Sequence, residues 1–234
     1  MNRESDSPIA PVEIGKCRLP LLVVLLAAVG FGGCGPRVGE LNEQALTLME
    51  QGDYGQAEGM LRRAIEQEPL NGDLHANLAE LMLLTGRLQE ALKEEYLAVG
   101  YDKTEGPSLR RRLAEIQIQL EKDEDAIKTL RPLIAEYPRD TRARYLLAQL
   151  YLKMGKESEA AQVIREALAK TPKDPDLLTC QAVLFLRTGK KNEAFELLKQ
   201  VVDRWARTPV GLPANGSGAL DALQLLGIGV DGDD

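Results

Sequence analysis

The chain has 234 residues, of which 44% are hydrophobic, 28% charged and only 4% aromatic, with a formal net charge of −7. This length suits one elongated domain rather than two globular ones, and the shortage of aromatics fits helices packed through aliphatic side chains and alanine. The acidic balance argues against a general nucleic-acid binder, whose affinity rests on a basic face that neutralises phosphates.

The first element is an apolar run. Lys16 and Arg18 precede Leu21-Leu22-Val23-Val24-Leu25-Leu26-Ala27-Ala28-Val29, and Gly30-Phe31-Gly32-Gly33 leads into Cys34. A basic flank, an apolar core and small residues before a cleavage point describe a secretory signal. The run is too short for a membrane-spanning helix, which needs about 20 apolar residues. Residues 1–33 are therefore expected to be a removed signal peptide, and residues 34–39 a tether. Gly32-Gly33-Cys34 resembles a bacterial lipobox, with Phe31 where leucine is usual. That resemblance implies lipidation of Cys34, with diacylglycerol and acyl chains as covalent attachments and no other cofactor. It also implies a lipid-anchored, periplasm-facing protein of the bacterial cell envelope, and Gly35 after the cysteine points to the outer membrane. Two or three acyl chains give stable anchoring where one does not. The other reading of Cys34 is a plain cysteine after an uncleaved anchor; positive charge ahead of the run keeps the rest outside the inner membrane in both cases. The region before the apolar core is long and carries Glu4, Asp6 and Glu13, which a true start further downstream would explain. Residues 1–33 hold three basic and three acidic side chains, so the mature part keeps −7.

From residue 38 a repeat sets in. Ala57, Ala91, Ala126, Ala160 and Ala194 recur at intervals of 34, 35, 34 and 34 residues, and twelve positions before them stand Ala45, Ala79, Ala114, Ala148 and Ala182. Five positions before them stand Gly52, Gly86, Glu121, Gly155 and Gly189; eight after come Ile65, Val99, Ile134, Leu168 and Val202. Twelve after come Pro69, Lys103, Pro138, Pro172 and Ala206. A fixed period near 34 marks stacked helix pairs. Glycine suits the left-handed residue that ends a first helix, proline stops a second, and alanine lets the pair approach closely. The stretches Gly52-Asp53-Tyr54-Gly55-Gln56-Ala57 and Gly155-Lys156-Glu157-Ser158-Glu159-Ala160, each with proline twelve residues on, resemble the tetratricopeptide repeat. The resemblance implies an all-α, right-handed α-solenoid of five helix-turn-helix repeats over 40–208, with units at 38–71, 72–105, 107–140, 141–174 and 175–208. Two departures stand out: Glu121 in the glycine position, and an extra residue in Tyr101-Asp102-Lys103-Thr104-Glu105-Gly106-Pro107, which predicts an irregularity between the second and third units.

The resemblance also implies a concave groove lined by the first helices. Carried onto this chain it places an aliphatic ladder at Met49, Leu83, Ile118, Leu152 and Leu186, flanked by Asn77, Arg111, Arg112, Arg142, Tyr145 and Gln149 among other polar groups. An apolar floor with a basic middle suits a peptide with apolar anchors and an acidic group. The competing reading makes the ladder helix-pair core and pairs the arginines with Glu115 and other acids. The clamp of chaperone-binding relatives needs lysine and asparagines where Asn42, Ala76, Arg111, Tyr145 and Thr179 stand, so it is not reproduced.

Chemistry is absent from the rest. The one histidine, His75, falls at a position usually given to packing, and no nucleophile or oriented partner marks a catalytic set. No phosphate loop, His-Glu-x-x-His or Cys-x-x-Cys occurs, and Glu94-Glu95 reads as a solvated helix face. With Cys17 in the removed segment and Cys34 acylated, Cys180 has no disulfide partner and reads as a semi-buried small residue. The expectation is no enzyme, no metal and no small-molecule substrate. Residues 209–218 form a Gly/Pro-rich linker, 219–227 a short amphipathic capping helix and 228–234 a disordered tail; the alternative role for the helix is to dock a partner or the chain's own groove. Together these readings give a membrane-anchored interaction scaffold that binds partner proteins or peptides. The alternative is a structural or self-associating envelope protein. Acylation and repeat number are similar to lipoproteins that assist pilus or secretion assembly, and to others that gather envelope factors.

Overall fold

The computed structural model describes residues 36–102 and 106–205, so Cys34, the signal segment and the proposed linker, capping helix and tail lie outside the described residues. Among the described residues there are ten helices and no strand. They run α1 (Val38–Glu50), α2 (Tyr54–Gln67), α3 (Gly72–Leu84), α4 (Leu88–Tyr101), α5 (Pro107–Gln119), α6 (Asp123–Glu136), α7 (Thr141–Lys153), α8 (Glu157–Lys170), α9 (Pro175–Arg187) and α10 (Lys191–Trp205). Each odd-numbered helix packs on the even one that follows, and each pair packs on the next. The result is an α-solenoid of five helix pairs.

The register of the alanines explains the pairing. All ten alanines at the two repeated positions, from Ala45 to Ala194, are 0% exposed. A methyl group at each crossing lets ridges of one helix sit in grooves of the next without displaced side chains. Around these contacts large aliphatics fill the space: Leu61, Leu130, Ile164 and Leu198 occupy one recurring position, four residues after the second alanine of their unit, and all are fully or nearly fully buried.

Helix ends are set locally. Asp53, Asn71, Asp140 and Asp174 accept hydrogen bonds from free backbone amides at the starts of α2, α3, α7 and α9, which replaces partners a helix cannot supply to its own first turn. The first helices end in one repeated turn. Gly52, Gly86, Gly155 and Gly189 have φ between 70° and 79°. In each case that glycine's amide donates to the carbonyl three residues back, and the next amide donates to the carbonyl five residues back, as in a left-handed helix terminator. Glu121 makes the same two bonds, to Ile118 and through Lys122 to Gln117, and carries a φ of 57°. The surrounding pair geometry thus imposes on glutamate a conformation that a side chain disfavours.

The expected irregularity falls between α4 and α5. The other connections from an even to an odd helix span four residues, while this one runs over 102–106. Gly72, at the start of α3, is buried, and a Cβ there would come within 3.0 Å of the Ala98 carbonyl oxygen and 3.2 Å of the Asp102 amide. Close approach of α3 to the end of α4 requires the missing side chain.

Candidate functional site

The odd-numbered helices carry the residues of the predicted groove, and their register is fixed by the turns just described. Met49, Leu83, Ile118, Leu152 and Leu186 each supply the carbonyl that caps the left-handed residue, so the five side chains fall at one equivalent point of successive helices. A side-chain bond from Asn77 Nδ2 to Asn42 Oδ1, 2.8 Å, lays the equivalent faces of α3 and α1 side by side. Met49 and Leu152 are buried, whereas Leu83, Ile118 and Leu186 are half-buried against the core clusters. The ladder is thus mainly a floor of packed core whose edges reach the surface.

The basic middle expected from Arg111, Arg112 and Arg142 does not survive in the structure. Arg111 Nη1 lies 3.2 and 3.1 Å from the two carboxylate oxygens of Asp140. Arg142 Nε donates to Glu115 Oε1 at 3.1 Å, and its guanidinium stands 5.2 Å over the Tyr145 ring. Arg112 Nε donates to Glu95 Oε2 at 2.8 Å, Nη2 donates to the Ala76 carbonyl at 2.9 Å, and Nη1 is 3.6 Å from Glu80. Each guanidinium already has its carboxylate. The cations cross-link neighbouring helix pairs and leave no uncompensated charge for an acidic ligand.

What the predicted residues do build is a cleft on the last three units. A space of about 440 Å³ between α5, α7 and α9 is lined by Ile118, Tyr145, Gln149, Leu152, Val183 and Arg187, with Lys153, Thr179 and Cys180 at its margins. Ile118, Leu152 and Val183 give an apolar floor. Gln149 Nε2 donates to the Tyr145 hydroxyl at 2.6 Å, which leaves the amide oxygen and the phenolic hydrogen for a ligand. Burial pushes the Tyr145 hydroxyl up to about 12, so it stays a neutral donor across ordinary pH. Burial likewise pushes the Cys180 thiol up, with Asp176 and Asp174 acting in the same direction, so it is an unreactive wall group. Of the other predicted residues, Met49, Asn77 and Leu83 sit on the first two units, and Leu186 packs into the α9–α10 core instead of this cleft.

Sequence reasoning missed the polar side chains within the second unit and at its junction with the third. Glu95, read as solvated, is 0% exposed; it occupies the recurring position of Leu61, Leu130, Ile164 and Leu198, and aligning units on their alanines exposes the substitution. Burial holds its carboxyl above the usual range against the opposing pull of Arg112, and its Oε1 has no hydrogen-bond partner. Glu94 is not solvated either: its Oε2 lies 2.8 Å from His75 Nδ1, while His75 Nε2 is 3.0 Å from the Pro69 carbonyl. His75 is buried, as a packing residue would be, but it is held by polar contacts. Gln117, 1% exposed, donates to the Tyr96 hydroxyl and accepts from Thr129.

Models of the tetratricopeptide repeat match residues 42–106, 102–150 and 124–184, in step with the helix pairs and their alanine crossings. The chain belongs to the tetratricopeptide repeat family. No curated protein matches it significantly. Among solved structures it resembles a tetratricopeptide repeat protein from Parabacteroides merdae, at 24% identity, with a TM-score of 0.69 and coverage of 82% of this chain and 74% of the other. It is also similar to MamA from Desulfovibrio magneticus RS-1, at 15% identity, with a TM-score of 0.66 and coverage of 75% and 99%. A third likeness is to YrrB, described as a tetratricopeptide repeat protein with an unusual peptide-binding site, at 17% identity, a TM-score of 0.61 and coverage of 79% and 91%. At these identities the likeness shows the fold. Tetratricopeptide repeat proteins are generally non-enzymatic scaffolds, and the repeats of this chain make it a protein-protein interaction module.

Proposed function

We propose that the protein is a lipid-anchored adaptor of the bacterial cell envelope, fixed to a membrane through Cys34 and holding a segment of a partner protein in the cleft between α5, α7 and α9. The observation that carries the binding half is the cleft itself. Its floor of Ile118, Leu152 and Val183 removes apolar side chains from water, and its walls at Gln149 and Tyr145 offer one acceptor and one donor, as an extended backbone requires. The similarity to YrrB supports a peptide ligand, and the Gly32-Gly33-Cys34 sequence supports the anchor.

Two experiments test the halves separately. A photo-crosslinking amino acid at position 149 captures a partner in intact envelopes, and Val183→Asp abolishes that capture while circular dichroism stays unchanged. A partner captured equally by the Val183→Asp protein places binding elsewhere. For the anchor, cells fed alkyne-palmitate label the wild-type chain and leave Cys34→Ser unlabelled. Equal labelling of both refutes acylation at Cys34.

A further inference from the structure

Uncompensated charge on the concave stripe lies at its ends. Lys153 is tied to Asp123 at 2.9 Å, and Arg111, Arg112 and Arg142 are paired as described. By contrast, Glu43 and Glu50 of α1 are exposed and have no ion-pair partner among the described residues, and the same holds for Arg187 of α9. The stripe therefore carries unpaired carboxylates on its first unit and charges already held in ion pairs across the middle. On its fifth it carries the unpaired Arg187, together with Asp176, which lies 4.0 Å from Arg142.

Apolar surface follows the same division. Leu46 is 38% exposed and Leu84 54% exposed. Leu46 lies one turn beyond Asn42 and Leu84 two turns beyond Asn77, so the Asn42–Asn77 bond places both leucines on one face. This second apolar station is flanked by Glu43 and Glu50, as the α5–α7–α9 cleft is flanked by Arg187. Between the stations lie Glu80, Arg112, Glu115 and Arg142, bound to one another or to the core. A ligand charge set down there would lose water and meet cations that already hold carboxylates; of their buried nitrogens only Arg142 Nη1, 4.0 Å from Asp176, lacks a hydrogen-bond partner.

We infer that this face takes a bipolar segment of a partner protein, with two apolar anchors joined by an uncharged stretch, a basic residue beside the anchor over α1 and α3, and an acidic residue beside the anchor over α7 and α9. The inference rests on the cleft reading proposed above. First helices of adjacent units stand about 8–10 Å apart, so three steps separate the stations by roughly 24–30 Å. An extended chain covers that in about seven to nine residues at ~3.3 Å each.

The test uses fluorescein-labelled synthetic peptides and the full chain in a non-ionic detergent, read by fluorescence anisotropy. The bipolar peptides join Lys-Leu-Leu to Leu-Leu-Glu through about eight Ser/Gly residues, the span set above, and are made in both chain directions. Controls carry lysine at both ends or glutamate at both ends, and a half-peptide carries Leu-Leu-Glu alone. One bipolar direction is expected to bind at least about tenfold tighter than the half-peptide and either homopolar control, because the second contact becomes intramolecular. The exposed-site variant Glu43→Lys/Glu50→Lys/Arg187→Glu is expected to reverse the preferred direction. If bipolar and homopolar peptides bind alike, or the variant keeps the original preference, the bipolar reading is overturned; half-peptide binding that Val183→Asp removes would leave the cleft reading standing. If no peptide binds, both readings fail.

Discussion

The pair formed by Glu95 and Arg112 is expected to respond very differently to loss of one member or the other. Arg112→Ala leaves a carboxyl that is 0% exposed with no cation beside it. A buried charge stripped of its partner typically costs 3–5 kcal/mol, but protonation sets a ceiling here. Keeping a carboxyl of ordinary pKa 4.5 protonated at pH 7, roughly 2.5 pH units higher, costs about 3.4 kcal/mol. Arg112→Ala should therefore destabilise by up to about 3.4 kcal/mol at pH 7, less whatever the raised wild-type carboxyl already costs. The sign with pH is fixed. In the variant the folded carboxyl has its pKa raised above the unfolded value, so the native state holds a proton that the unfolded chain releases. Stability then falls as pH rises through that window, by up to ~1.4 kcal/mol per pH unit. The deficit against wild type fades as pH drops through the wild-type carboxyl's own raised pKa, below which both proteins hold the proton. Glu95→Leu restores the side-chain type found at Leu61 and Leu130 and removes the buried charge, while Arg112 keeps the Ala76 carbonyl, Glu80 and partial access to water. Burial of a leucine contributes about 1.5–3 kcal/mol, so this variant should lie within about 1 kcal/mol of wild type or above it. Urea unfolding followed by circular dichroism at pH 5, 6, 7 and 8 reads all of these. Equal losses from both substitutions, or a loss from Arg112→Ala that ignores pH, would refute the reasoning.

Three further outcomes follow from particular positions. Glu121→Gly should stabilise by about 0.5–1.5 kcal/mol, since it removes a side chain from the left-handed region at the cost of a more flexible unfolded chain; a midpoint in urea that stays put or falls contradicts this. Gly72→Ala should destabilise by about 1–3 kcal/mol, because its Cβ meets backbone of α4 that cannot swing aside, and faster amide exchange at the ends of α3 and α4 would locate the damage. Cys180, buried in the cleft wall, should react with a water-soluble disulfide reagent orders of magnitude more slowly than the same thiol in urea. Rapid modification of the native protein would show the cleft wall to be open.

Much of the fold was legible because each repeated residue has a local physical reason. The alanines mark crossings where only a methyl fits, and the glycines mark a backbone conformation that a Cβ penalises; both show at fixed spacing whatever the rest of the chain does. Glu121 shows the limit: the turn forms there against residue preference, because the packed pair on either side dictates it. The cleft was legible only in part. Ile118, Tyr145, Gln149 and Leu152 were placed by register, but Val183 was not singled out as its wall, since an outline between three helices depends on side-chain volumes and not on spacing. The two readings of the arginines could not be told apart in the sequence for a different reason. Their partners Asp140, Glu95 and Glu115 stand 29, 17 and 27 residues away, and such pairings depend on how helices stack.

The polar substitutions and the longer connection fall at one place, and this has a consequence for binding. Glu95, Arg112, Gln117 and the 102–106 connection all lie between the second and third units, where other junctions bury leucine or isoleucine at the Glu95 position. In a stacked array each unit is held mainly by its neighbours, so a junction that buries an ion pair where the others bury aliphatic side chains is the one expected to open first. That junction also separates the Leu46–Leu84 station from the cleft on α5, α7 and α9. A ligand that spans both stations binds the closed array and not the opened one, and so must suppress opening by its own binding free energy, about 2.7 kcal/mol at a concentration 100 times its Kd. Amide exchange in α4 and α5 should therefore be faster than in α7 and α8 of the free protein, and should slow roughly 100-fold when the bipolar peptide is added at that excess. The half-peptide, which touches only the cleft, should protect α7 and α9 and leave α4 unchanged. Exchange in α4 that is already as slow as in α7 would show that the buried ion pair holds the junction as firmly as an apolar one.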